Sequence, residues 1–256
     1  MKSSIKNNKA KNKKKIINSK KNKKKKNINN RNIIFTTSII LILLFLLIIS
    51  ISLNLSLFNK KNKVHIKYKY ILDENIVFYG DSITYKYEIE HFFPKNKIIN
   101  SGISGDKSED LINRLENDVY KYNPSKVFIL IGINDLNHDI DKNEILNNIQ
   151  SVITGIRINR KLTKIYIESI YPINRKYMKK NEYNFNKNLT NDDIIHFNND
   201  LKKLAIKNKI TYINVYDSLV DKDGNLKRKY TKEGLHLNDI GYLRVSAVLE
   251  KYINEK

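Results

Sequence analysis

Four short segments of this 256-residue chain hold side chains able to do nucleophilic chemistry. Gly80-Asp81-Ser82-Ile83-Thr84 offers a hydroxyl, and Ser101-Gly102-Ile103-Ser104-Gly105-Asp106 a glycine turn. Gly132-Ile133-Asn134-Asp135 offers an amide, and Glu233-Gly234-Leu235-His236-Leu237-Asn238 an imidazole with a carboxylate three residues before it. A serine hydroxyl is a weak nucleophile towards an ester carbonyl unless an imidazole takes its proton and later passes it to the leaving alcohol. A carboxylate on the second ring nitrogen fixes the tautomer and stabilises the imidazolium. Each segment also has a plainer reading: a Gly-x-Ser after a strand is usually a turn, Asn-Asp is commonly a helix cap, and a single histidine is more often structural. Of the other histidines, His65 lies in a basic stretch, His196 in a helical pattern, and His91 and His138 outside any comparable segment.

What must position these groups is a series of alternating elements. Asn75–Tyr79, Lys97–Asn100, Lys126–Ile131, Lys164–Ser169 and Thr211–Val215 are short, β-branched and nearly continuous in their apolar character, as strands buried on both faces are. Between them run helical patterns. Ser108–Tyr120 carries Leu111, Ile112 and Leu115; Lys142–Ile158 carries Ile145, Ile149, Val152 and Ile156. Asp192–Lys207 carries Ile195, Asn199, Leu201 and Leu204; Asp239–Tyr252 carries Ile240, Leu243, Val245, Val248 and Leu249. The alternation predicts an α/β fold with a parallel sheet. Three of the four segments then follow strands at the carboxyl edge, where open α/β sheets bind ligands, and the fourth precedes the last helix. The long polar connection Tyr171–Asn191 belongs at the same edge.

In order and spacing the four segments resemble the sequence blocks of the SGNH hydrolases, also called GDSL esterases/lipases, over about residues 75 to 253. The resemblance implies a flavodoxin-like three-layer α/β/α sandwich with five parallel strands in order 2-1-3-4-5. It implies Ser82 as nucleophile, His236 as base and the acid three residues before it, Glu233, as third member. It implies an oxyanion hole formed by Ser82, Gly105 and Asn134. The chemistry suits the residue types: the Ser82 and Gly105 N–H groups and the Asn134 amide would give three donors, and a glycine leaves its backbone open to close approach. The family pattern has Asp where this chain has Glu233, one methylene longer; Glu serves as third member in other hydrolases. Asp239 is the fallback orienter or the cap of the last helix, and Asp81 is expected to hold the nucleophile turn through backbone hydrogen bonds.

Composition excludes several alternatives. Without cysteine there is no disulfide framework, thiol nucleophile or zinc finger, no metal-ligand motif stands out, and no cofactor is expected. The net charge of +22 is unevenly spread: residues 1–32 hold 14 Lys/Arg and no acid, leaving +8 for the rest. Residues 1–32 should be a disordered cytoplasmic tail, and 33–58, which contain no charged side chain, a transmembrane signal-anchor helix. The 32-residue basic region and the lack of A-x-A favour an anchor over a cleaved signal peptide. Residues 59–72 form a linker and 73–256 the folded domain. The cation excess before the span places the N-terminus in the cytoplasm and the domain outside the cell membrane, with the tail against anionic lipid head groups. Nucleic acid is an unlikely partner, because the tail lacks interleaved aromatics. Two function classes follow. One is a membrane-anchored serine hydrolase, or acyltransferase, working on acyl esters such as O-acetyl groups of a glycan or lipid. The other is a non-catalytic anchored binding module of the same fold.

Overall fold

The computed structural model of the protein describes residues 43–57, 73–178 and 185–255. The chain divides into two units, Met1–Tyr70 and Ile71–Lys256. In the first, residues 43–57 form a helix, α1, whose large apolar side chains from Leu43 to Leu57 are exposed. No helix among the described residues is long and apolar enough to cross a membrane. The expected tail 1–32, the linker 59–72 and the remainder of 33–58 lie outside the described residues.

The second unit is an alternating α/β domain. Its elements run β1 (Asp73–Gly80), α2 (Ser82–Tyr85), α3 (Ile89–Phe92), β2 (Lys97–Gly102), α4 (Ser108–Asn113), α5 (Leu115–Asp118), β3 (Pro124–Leu130) and α6 (Ile133–Asn137). They continue with α7 (Lys142–Asn159), β4 (Lys164–Glu168), α8 (Asn191–Lys207), β5 (Thr211–Ile213), α9 (Tyr216–Leu219) and α10 (Asp239–Asn254). The five strands form one sheet in the order β2-β1-β3-β4-β5, every pairing parallel. Right-handed crossovers with that order put the helices on both faces. Accordingly α4, α5, α7 and α8 pack with one another, and α3 and α9 pack with α10.

The core follows from the pleat, which sends successive side chains to opposite faces. Phe78, Phe128 and Tyr166 are register partners on adjacent strands and stack ring on ring, beneath Tyr87 and Tyr252 of the α3–α10 layer. Tyr79, one residue on, faces the other way, and its hydroxyl donates to Leu111 O in α4. The expected inward face of α7 is as seen: Ile145, Ile149, Val152 and Ile156 are buried.

Two helix faces differ from expectation. In α8 the buried set is Ile194, Phe197, Asn198, Leu201 and Ala205, while Ile195 is exposed. Asn198 is turned inward because its amide pairs with both the N–H and the carbonyl of Ile170. In α10, Tyr242, Val245, Ser246 and Leu249 are buried while Ile240 and Leu243 are exposed; Ser246 meets the Tyr87 hydroxyl at 2.6 Å. The helix expected over Ser108–Tyr120 is also broken into α4 and α5, at Arg114 (φ −113°, ψ 12°).

Candidate active site

Ser82 is the first residue of α2, immediately after β1 delivers the chain to the carboxyl edge of the sheet. Asp81 makes this turn: it is the N-cap of α2, and its Oδ1 accepts the Ile83 N–H at 2.9 Å. That is the turn-holding role expected of Asp81. The residue is fully buried, its Oδ2 has no hydrogen-bond partner among the described residues, and burial pushes its carboxyl up to about 7 against the pull of the Ile83 N–H. The N–H of Ser82 has no acceptor among the described residues.

His236 comes from the segment ahead of α10. Its Nε2 lies 2.9 Å from Ser82 Oγ, and both residues are buried although 154 positions separate them. Its Nδ1 lies 2.6 Å from Glu233 Oε1. The same carboxylate accepts the backbone N–H of His236 at 2.7 Å and that of Leu235 at 3.1 Å. The extra methylene of Glu relative to Asp is therefore taken up by folding the side chain back over its own turn. Burial raises the Glu233 carboxyl, but the hydrogen bonds and charge of His236 outweigh it and hold the group below the usual glutamate range. Asp239 has neither expected role: it is the first residue of α10, and Asn238 caps the helix by accepting the Gly241 N–H.

The turn carrying Glu233 and His236 is fixed from outside. Thr231 Oγ1 donates to His236 O and accepts the Gly234 N–H, each within 2.8 Å. Asn174, in the connection after β4, donates its N–H to Gly234 O at 2.8 Å. Gly234 has φ +89°, and a Cβ there would run into the Asn174 carbonyl, so only glycine fits.

The second and third segments, which follow β2 and β3, meet at Asp106. Gly105 is exposed with φ +91°; no described residue would crowd a Cβ, so the backbone angle rather than space calls for glycine. Its N–H has no acceptor among the described residues. Asn134 lies in α6, and its Nδ2 donates one hydrogen to Asp106 O at 2.8 Å, leaving the second N–H of the amide to point elsewhere. Asn134 is not a cap: that position belongs to Gly132. Asp135 joins the two segments by accepting the N–H and hydroxyl of Ser108. Among the described residues no group of three His, Asp or Glu could hold a metal ion.

The structure thus brings Ser82, His236 and Glu233 into one hydrogen-bonded chain, and ties the Gly105 and Asn134 segments together through Asp106. A hydroxyl, an imidazole and a carboxylate in series, on a parallel α/β sheet, define a hydrolase of the serine type. The chain belongs to the GDSL-like Lipase/Acylhydrolase family, whose model matches residues 78–244. It is an ester-hydrolysing serine hydrolase.

Among solved structures, a Streptococcus pneumonia protein provisionally described as a platelet activating factor is 32% identical, with TM-score 0.66, covering 78% of this chain and 96% of the other. A GDSL-like lipase from Bacteroides thetaiotaomicron is 26% identical, with TM-score 0.61, covering 75% and 96%. The acetyl xylan esterase AlAXEase shares the fold at 24% identity, with TM-score 0.55 and coverage of 70% and 98%. No curated protein matches the chain.

Proposed function

We propose that Ser82, His236 and Glu233 carry the reaction as nucleophile, base and orienting acid, and that the enzyme removes small acyl groups from a glycan or lipid. The observation carrying this reading is the chain Ser82 Oγ–His236 Nε2 at 2.9 Å and His236 Nδ1–Glu233 Oε1 at 2.6 Å. Oγ attacks the ester carbonyl carbon while Nε2 takes its proton. The oxygen of the tetrahedral intermediate accepts from the Ser82 N–H, the Gly105 N–H and the second N–H of Asn134. The imidazolium then gives its proton to the leaving alcohol as the C–O bond breaks. Water, deprotonated by the same nitrogen, releases the acyl group as the acid and restores Ser82. Glu233 stays ionised throughout, because the hydrogen bonds and charge of His236, with the Leu235 N–H, hold its carboxyl below the usual glutamate range.

The test is a panel of chromogenic esters of graded acyl length, assayed on the full chain and on Ser82→Ala. Hydrolysis of acetyl and other short esters, lost in the variant, is the expected result. Activity that survives in Ser82→Ala would overturn the assignment.

The site works, on this reading, outside the cell on a chain anchored through 33–58. The reading is supported by the absence of charge from that stretch, the 14 cations before it and the run of exposed apolar side chains on α1. Protease added to intact cells should digest the domain; a domain protected until lysis would contradict this topology.

A further inference from the structure

Arg114 reaches the ends of both β1 and β2 and the turn at Asp106. It breaks the helix expected over Ser108–Tyr120, and its guanidinium, 13% exposed, turns in beneath the site. Nε and Nη2 both contact Asp106 Oδ2, at 2.7 and 2.6 Å. Nη2 also donates to Gly80 O at 2.9 Å, and Nη1 donates to Ser101 O at 2.8 Å and Asp118 Oδ2 at 2.9 Å. The five N–H groups of a guanidinium are thereby all used. The plane also lies over the Tyr79 ring, 4.4 Å from its centroid.

Three of these partners adjoin the groups read above as oxyanion donors. Gly80 is the last residue of β1, two before Ser82. Ser101 lies near the end of β2, in the segment leading to Gly105. Asp106 follows Gly105, and its carbonyl holds the Asn134 amide. We propose that Arg114 is a positioning residue that sets the spacing of the oxyanion hole from behind, by fastening the ends of β1 and β2 and the Asp106 turn to one rigid plane. Lysine cannot replace it, because a single ammonium offers three donors from one point and cannot span two carbonyls and two carboxylates.

The inference rests on the oxyanion reading of Asn134, so the experiment separates the two. Arg114→Lys, Asn134→Ala and the double variant are compared in the full chain by kcat and KM on an acetyl ester and by melting temperature. Lys126→Met serves as the control for stability alone: Lys126, at the opposite end of the sheet, caps α10 by donating to Tyr252 O, Ile253 O and Glu255 O.

Arg114→Lys should lower kcat by roughly 10–100-fold, since small misplacements of a preorganised site cost that much, with KM little changed. The loss in the double variant should be at least about tenfold smaller than the product of the single losses, because both act through one site. Lys126→Met should melt lower at unchanged kcat. Normal kcat in Arg114→Lys beside a crippled Asn134→Ala would overturn this inference and leave the oxyanion reading standing, as would losses that multiply fully. Normal kcat in Asn134→Ala would overturn both. Should Arg114→Lys fail to fold, Asp106→Asn weakens the grip of Arg114 while sparing the carbonyl that holds Asn134. It should then show the same less-than-multiplicative loss, and a full product would count against the inference.

Discussion

Glu233 Oε1 receives two hydrogen bonds from His236, one from Nδ1 at 2.6 Å and one from the backbone N–H at 2.7 Å. Acid and imidazole are thus held together within one local turn, independently of the contact with Ser82. This is how a glutamate can stand where the family pattern has aspartate. The side chain does not reach outward; it folds back, and the turn supplies the donors that hold it there.

That arrangement needs an acceptor on every lone pair it uses. Glu233→Gln keeps the shape but places an NH₂ against one of three N–H donors, those of Leu235, His236 and the ring. The ring is then free to adopt the wrong tautomer. The expected result is a fall in kcat of roughly 10³–10⁴ with a modest change in KM, measured on the same acetyl ester. A loss below tenfold would mean that another group orients His236.

Asn134 separates a chemical role from a structural one. Because Gly132 holds the cap position of α6, Asn134→Ala removes no cap, only the bond to Asp106 O and the amide itself. Loss of an oxyanion donor should cost roughly 10²–10³ in kcat, with melting temperature and KM nearly unchanged. A variant that melts several degrees lower and turns over normally would assign Asn134 to folding.

Glu168 makes a prediction about stability and pH. It is buried at the end of β4, accepts the Tyr171 hydroxyl at 2.7 Å, and is pushed by burial from 4.5 up to about 7. A carboxyl raised in the folded state binds its proton more tightly there than in the unfolded chain. Its contribution is therefore fully present below about 4.5 and is lost as pH rises through about 7. Relative to the wild type, Glu168→Gln should gain melting temperature steadily between pH 4.5 and 7, and the difference should level off above. A difference independent of pH would show that Glu168 titrates alike in both states.

The strands and the four site segments were legible because their signals are local. Runs such as Lys164–Glu168 have an apolar, β-forming centre, Ile165-Tyr166-Ile167, and a serine, an amide and an imidazole at strand or helix ends can be read without knowing what they touch. What was not legible depended on contacts between distant parts of the chain. The inward faces of α8 and α10 differ from expectation because Asn198 and Ser246 are buried to satisfy Ile170 and Tyr87, and polarity alone places such residues outside. The break at Arg114 was hidden for the same reason. Nothing in Ser108–Tyr120 interrupts a helical pattern, and the interruption serves carbonyls of Gly80 and Ser101 on neighbouring strands. The cap of α10 fell one residue early, on Asn238 rather than Asp239, because either side chain can accept the N–H and the backbone decides which does.

The most direct test of the account is to label the full chain with a fluorophosphonate and map the modified peptide by mass. The serine whose hydroxyl faces His236 Nε2 at 2.9 Å should alone be activated. The account predicts one adduct, on Ser82, absent from Ser82→Ala and formed far more slowly in His236→Ala. It also predicts that the double variant is little worse than either single in ester hydrolysis, because the pair works as one unit. An adduct on any other residue, or undiminished labelling of Ser82→Ala, would contradict it.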